Sequence, residues 1–249
     1  KIDQNQARLN STQAKTVIDA WKTKINSTQI KLYSQNIAPI QLIGIGQFSL
    51  RLNEINAKIY PYGLESITSS DKMFSPSGYK ETVSVMGMNK MNITANFNYL
   101  QVFKKKMEED NIWNNAAYFT TMPAHTLSKM KMAVKNLITE NFRARSSVAI
   151  IDIWNILKEK PFGLLSCIGS AFVMGFLLKE YADSGYYKKD SISNNVPLTH
   201  DNLADMIVGI IKGIRNADSL CIVQMTEEHE LFCKYSGEIF RLSSDKQNS

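Results

Sequence analysis

The sequence predicts a mainly α-helical protein with a few short strands, and three observations support this class. Apolar residues recur at the three-to-four-residue spacing of helices in most segments. The 249 residues include only 12 glycines and 6 prolines, too few for the many turns of an all-β fold. The third observation is a central stretch, residues 146–183, in which two apolar helical patterns flank a proline–glycine turn.

The central stretch predicts a helix, a tight turn and a second helix. Apolar residues within 150–157 lie on one broad face of the first helix, and Pro161 ends it. Gly163 permits the turn, and Ser166 is placed to cap the second helix, which extends to Tyr181. This second helix is apolar on every side, so we expect it in the core. Its uncharged run is about 15 residues, shorter than the roughly 20 that span a bilayer.

Elements before the centre follow from apolar spacing and from helix-ending residues. One apolar stripe over 1–35 predicts a long helix, with Asn26-Ser27 as a candidate interruption. Pro61 and Gly63 close the next helix, and the serine-rich residues after it form a loop. The predicted elements are a helix at 1–35, a helix at Phe48–Tyr60, a strand at Lys80–Met86, a helix at Asn98–Asp110 and a helix at Ala124–Asn141.

Elements after the centre add a short hairpin, which makes the centre winged-helix-like. Ser184-Gly185 breaks the chain, Tyr186-Tyr187 begins one strand, and Val196 lies in its partner. Thr199 is a good cap for the amphipathic helix that follows. The remaining predicted elements are this helix at His200–Arg215, a strand at Leu220–Met225 and a helix at Glu227–Tyr235.

Composition and the start of the chain define the class of protein. A hydrophobic content of 44% and a charged content of 21% are those of an ordinary globular protein. We predict two domains, a helical segment with an irregular linker at 1–97 and a helical winged-helix-like domain at 98–249. The chain begins with Lys1 and has no signal-peptide pattern, so we interpret it as a fragment of a longer protein. Three cysteines without a CxxC pair indicate the reducing cytoplasm, and no membrane partner is expected.

The net charge of +6 is densest within residues 104–145, a zone that could face phosphates or form a solvated helix surface. Tyr187, Lys188 and Lys189 combine an aromatic ring with positive charge on the predicted hairpin, where a wing would contact nucleic acid. The alternative is an ordinary exposed turn. The candidate nucleic-acid-binding residues are Lys135, Arg143, Arg145, Tyr187, Lys188 and Lys189.

Neither a catalytic set nor a cofactor motif stands out. Cys221, His229 and Cys233 could gather around zinc, but a structural site needs a fourth ligand, so we favour ordinary buried thiols. Gly44 and Gly46 lack the remaining residues of a nucleotide-binding loop. We therefore assign no catalytic residue, no metal site and no cofactor to this chain.

The centre also resembles a known family. Lys160-Pro161-Phe162-Gly163 matches a (Lys/Pro)-Pro-(Phe/Tyr)-Gly turn that precedes an apolar helix like Ser166–Tyr181. Over Ile138–Ile211 the chain resembles the region after the ATPase core in very large bacterial P-loop ATPases of BREX-type phage-defence systems. The resemblance implies a helical accessory module of a larger ATPase that works where nucleic acid is handled. The chain has no GxxxxGK[ST] motif, so no ATPase residue is carried over.

Three functions are consistent with these observations. The first is a non-catalytic module of a larger defence-associated ATPase, whose partners are the ATPase portion, other proteins and DNA. A helix that reads DNA exposes polar residues, whereas the second central helix is apolar, so we expect any DNA contact to be sequence-independent. The second is a stand-alone structural or regulatory protein-interaction domain without nucleic-acid binding. The third is an enzyme with a dispersed site.

Overall fold

Helices dominate the structure, a computed structural model, and two small sheets accompany them, which confirms the predicted mainly α class. The chain divides into two compact units, Lys1–Pro61 and Tyr62–Ser249. The predicted domain boundary after residue 97 lies at the edge of residues outside the described ones and stays a prediction. The structure describes residues 4–26, 30–34, 37–42, 46–67, 71–87, 98–189, 195–214 and 220–241.

The first unit pairs two helices with a hairpin. It consists of α1 (Gln4–Asn26), β1 (Ile30–Ser34), β2 (Ile37–Leu42) and α2 (Gly46–Ile59). The prediction of a single helix over 1–35 is therefore wrong at Ile30–Ser34, because these residues form β1, which pairs antiparallel with β2. Asn26 and Ser27 are weak helix formers, and Ile30-Lys31-Leu32 alternates apolar and polar residues as strands do.

The second unit contains the larger core. Its elements are 3-10 turns at Leu64–Ser66 and Asp71–Phe74, α3 (Tyr79–Thr82), a π-helical turn at Val83–Gly87, α4 (Asn98–Glu109), α5 (Tyr118–Thr121), α6 (Thr126–Arg145), β3 (Ser147–Ala149), α7 (Ile150–Lys158), α8 (Ile168–Leu178), a 3-10 turn at Lys179–Tyr181, β4 (Tyr186–Lys189), β5 (Asn195–Pro197), α9 (His200–Ile211), β6 (Cys221–Gln224) and α10 (Glu227–Phe240). The strand predicted at Lys80–Met86 is wrong. Those residues are helical because the Val83–Gly87 turn packs closely on α8. The approach is so close that a Cβ added to Gly87 would lie 2.9 Å from the Gly175 Cα.

Helix α8 is the centre of this core, as its uniformly apolar sequence predicts. All of its residues are buried. The Phe172 ring packs edge-on against Phe103 at 4.5 Å and stacks with Trp113 at 5.9 Å between centroids. Predicted capping is confirmed at Thr199, whose hydroxyl accepts from the Asn202 amide, but Cys167 rather than Ser166 occupies the position before α8. Among the described residues, no helix has both the length and the apolarity to cross a membrane.

The sheet of the second unit has the order β3-β6-β4-β5, with every pair antiparallel. Residues directly opposite each other share a face, so the register defines two surfaces. One face carries Val148 and Ile222, both fully buried in the core. The other face carries Ala149, Cys221 and Lys189, which are half-buried or exposed. The second face is therefore partly exposed, and it is called the open sheet face below.

Candidate nucleic-acid interface

Strand β4 separates the candidate residues of the hairpin. Tyr187 lies opposite Val223, and Lys189 lies opposite Cys221, so both belong to the open sheet face. Lys188 lies opposite Ile222, on the face that continues into the core, and is half-buried. Because successive side chains alternate, the adjacent lysines cannot contact one surface together.

Arg145 joins Tyr187 and Lys189 at the open sheet face, although it comes from the last turn of α6. Its guanidinium donates to the Ser147 carbonyl at 3.3 Å and to the Asp152 carboxylate at 3.0 Å. Burial raises the pKa of the Cys221 thiol, and the nearby charges of Arg145 and Lys189 act in the opposite direction. Both cations are thus close enough to Cys221 to influence the same group. A half-buried aromatic ring and two exposed cations therefore lie near one another.

Lys135 and Arg143 form a different surface. Together with Thr139 they are spaced four residues apart on α6 and therefore lie on neighbouring parts of one helix side. All three line a cavity of about 680 Å³ that Tyr186 also borders, and a second cavity of about 380 Å³. The Lys135 ammonium lies 4.8 Å from the Phe119 ring centroid. The surface formed by Lys135, Thr139 and Arg143 is therefore different from the open sheet face that carries Tyr187.

Lys131, within the basic zone at 104–145, is buried, so both interpretations of that zone, a phosphate-facing surface and a solvated helix surface, are wrong for this residue. It is 3% exposed. Its ammonium donates to the Leu177 carbonyl at 2.6 Å and pairs with Glu180 at 2.8 Å. The periodicity of α6 contains the signal, since Leu127, Lys131 and Val134 fall on the same buried stripe.

The sequence did not predict a third cavity, of about 250 Å³, beside α8. Its wall includes Trp113 and Tyr118, which precede α6, and Lys179, which follows α8 in the chain. Burial and, next, the neighbouring charge of Lys131 lower the pKa of Lys179 to about 8, while Glu180 acts in the opposite direction. No spacing rule connects Tyr118 with Lys179, because they meet only through the packing of α5 on α6 and of α6 on α8.

Where the structure describes them, the histidines and cysteines have surroundings typical of residues with a structural role. His125 accepts from the Leu127 amide at the start of α6 and contacts Asp110 at 3.2 Å, and His200 contacts Asp183. Among the described residues, no group of three or more His, Cys, Asp or Glu side chains is arranged to hold a metal ion. The side chains of His229 and Cys233 lie outside this description.

Comparison with family models, with curated proteins and with solved structures finds no match to this chain. The chemistry of the surfaces therefore has to be argued from their residues. Helix α8 is buried on all sides, so it cannot enter a DNA groove. The open sheet face, by contrast, is accessible and carries an aromatic ring beside positive charge.

Proposed function

We propose that this chain is a non-catalytic module of a larger defence-associated ATPase and that it makes protein contacts and sequence-independent nucleic-acid contacts. The resemblance of Lys160-Pro161-Phe162-Gly163 and its following helix to BREX-type ATPases supports the first part. The order α7, turn, α8 and β4–β5 hairpin supports a winged-helix-like centre. Strand β6, inserted between β3 and β4, would distinguish this centre from a bare helix-turn-helix with a wing.

The observation that carries the nucleic-acid part is the open sheet face with Tyr187, Lys189 and Arg145. Any base can stack on an aromatic ring, and neighbouring cations bind the phosphates. Such a surface therefore binds nucleic acid without sequence specificity. A single-stranded ligand suits it best, because the bases of a duplex are not free to stack on a ring. Asp152 partly neutralises Arg145, so Lys189 is expected to carry most of the electrostatic contribution.

The protein-contact part is supported by helices whose apolar residues are exposed. In α1 these residues are Val17, Ile18 and Trp21, and in α10 they include Phe232 and Phe240. Phe232 and Phe240 are 69% and 71% exposed. Most of each apolar side chain is therefore in contact with water, which is unfavourable unless a partner covers it. A stand-alone protein-interaction domain without nucleic-acid binding is the second candidate, and these helices favour it.

The test is fluorescence anisotropy of labelled single-stranded and duplex DNA with the full chain over a salt series. We expect tighter binding of the single strand and affinity that falls steeply with salt. Lys189→Glu should weaken binding about tenfold and reduce the salt slope by about one. Tyr187→Ala should weaken single-strand binding more than duplex binding.

Two charge reversals serve as controls. Lys188→Glu makes the same change on the opposite face of β4, and Lys72→Glu makes it on an exposed lysine of the Asp71–Phe74 turn. Both should have much smaller effects than Lys189→Glu. Equal effects of all three would mean that binding follows net charge alone and not the open sheet face. An absence of binding at low salt would contradict the nucleic-acid part and leave the protein-interaction domain.

A further inference from the structure

The cavity beside α8 has polar groups whose hydrogen-bonding capacity is not used by the protein. The Tyr118 side chain is 5% exposed, and its hydroxyl has no hydrogen-bond partner among the described residues. A buried hydroxyl without a partner costs free energy, so native structures rarely keep one without a reason. Tyr118 lines the cavity, which makes a bound ligand one such reason.

Two ammonium groups line the same cavity. Lys131 uses two of its three N–H donors, on the Leu177 carbonyl and on Glu180. The Lys179 ammonium lies 4.4 Å from the Phe176 ring centroid and 5.3 Å from that of Trp113. Among the described residues no carboxylate lies within ion-pair distance of Lys179. The lining thus holds two cations and one carboxylate, and its spare groups are mainly donors.

The rest of the wall is mainly apolar and aromatic, with Asn114 and Asn115 as its further polar members, and the Asn115 side chain is already hydrogen-bonded to Thr121 and to the Ala117 amide. Trp113 and Phe176 stack with centroids 5.5 Å apart, and Tyr118 lies 5.6 Å from Phe176. The volume of about 250 Å³ is below the range of sites for drug-sized ligands and corresponds to about eight water molecules. Spare donors, one excess positive charge and an aromatic wall together favour a small anion with an apolar body.

We propose that this cavity binds a small monocarboxylate, with its carboxylate at Lys179 and the Tyr118 hydroxyl and its apolar body against Trp113 and Phe176. A phosphate fits less well, because the lining contains no arginine and offers little to a dianion beyond the two lysines. The site shares no residue with the open sheet face, so the proposal does not depend on nucleic-acid binding. Burial is the main cause of the lowered pKa of Lys179, and the Lys131 charge acts in the same direction while Glu180 opposes both.

Benzoate is the probe, titrated into the full chain and followed by the indole N–H signals in NMR spectra. The chain has 3 tryptophans, and only the signal of Trp113 should move with benzoate concentration. We expect a dissociation constant of about 1 mM or tighter. Benzamide has the same shape without the charge and should bind at least about tenfold more weakly. Inorganic phosphate should not move the Trp113 signal.

Variants test the two named contacts. Lys179→Met keeps an apolar chain of similar length and should weaken benzoate binding about tenfold, and Tyr118→Phe about fivefold. Tyr118→Phe should leave the unliganded protein at least as stable, because it removes an unpaired buried hydroxyl. Lys104→Met is the matched control, since Lys104 also lies over the Trp113 ring, at 4.9 Å, but does not line the cavity. Equal affinity for benzoate and benzamide, no movement of the Trp113 signal, or an equal loss in Lys104→Met would overturn the proposal.

Discussion

Lys131 illustrates how a charged residue can occupy a position on the apolar stripe of a helix. Burial lowers the pKa of this ammonium, and the Glu180 carboxylate acts in the opposite direction. The ammonium also donates to the Leu177 carbonyl, near the C-terminal end of α8, where positive charge is favourable. The buried ammonium therefore links α6 to the end of α8. Glu180 pairs with it and so offsets the cost of burying its charge.

Lys179 titrates, so it should make the free energy of unfolding depend on pH. A methionine at this position has no proton to gain or lose and would not. Burial lowers the pKa of Lys179 to about 8 in the folded protein, whereas the pKa of an exposed lysine is near 10.5. Below pH 8 both states are protonated, and folding bears the full cost of burying the charge. Between these two pKa values the unfolded chain binds a proton that the folded protein releases, so the free energy of unfolding rises with pH.

We therefore expect Lys179→Met to be more stable than the natural chain at pH 7, with an advantage that shrinks at pH 9.5. Urea denaturation at the two pH values measures the difference. The tyrosines with raised pKa values, Tyr118 and Tyr181, are present in both proteins and cancel in the comparison. A difference in stability that stays constant over this pH range would contradict the assigned titration.

At the scale of elements, the approach of the Val83–Gly87 turn to α8 depends on two glycines. A Cβ on Gly87 would lie 2.9 Å from the Gly175 Cα, which is backbone and cannot move aside. A Cβ on Gly175 would lie 3.0 Å from the Val83 Cγ1, a side-chain atom that can shift. Gly87→Ala should therefore cost about 3 kcal/mol, and Gly175→Ala about 1 kcal/mol after the helix preference of alanine is included.

Chemical denaturation of the two variants measures these losses. Ser84→Ala, in the same turn, is the control and should change stability little, because the Ser84 hydroxyl has no hydrogen-bond partner among the described residues. If Gly175→Ala costs more than Gly87→Ala, the backbone contact is not what limits the approach of the two segments.

The elements differ in how well the sequence predicts them. The burial of helix α8 was predictable because its residues are apolar on every side. The capping role of Thr199 was predictable because a helix cap is a local interaction. The helical state of Val83–Gly87 was not, since its β-branched residues favour a strand locally and tertiary packing overrides that preference. The strand β1 was missed because its local alternation is short, and its pairing with β2, which stabilises it, is not visible in the sequence.

Whole-molecule geometry decides which candidate residues act together, and a sequence contains little of that information. Tyr187 and Lys189 alternate on one strand, so their shared face was predictable from period-two spacing once β4 was recognised. Arg145 ends α6 just before β3, so it joins them only through the pairing of β3 with β6 and of β6 with β4, which no local pattern encodes. The same reason explains why the cavity of Tyr118 and Lys179 was not predicted, as its residues come from separate elements.

The division of the chain leads to a prediction about fragments. The large hydrophobic cluster begins at Leu64 in sequence, and the second compact unit begins at Tyr62. A chain of residues 62–249 should therefore unfold cooperatively, with a midpoint within about 5 °C of the corresponding transition in the full chain. Thermal circular dichroism and calorimetry measure this midpoint.

A fragment of residues 98–249, which starts at the boundary predicted from sequence, is the matched comparison. It lacks Leu64, Met73 and Val83, which are buried in the same cluster as α8. Losing several core side chains leaves cavities that cost about 2–5 kcal/mol each, a large part of the stability of a small domain. We expect this shorter fragment to lose its cooperative transition. Equal stability of the two fragments would show that residues 62–97 are not part of the core and that the boundary lies at 97.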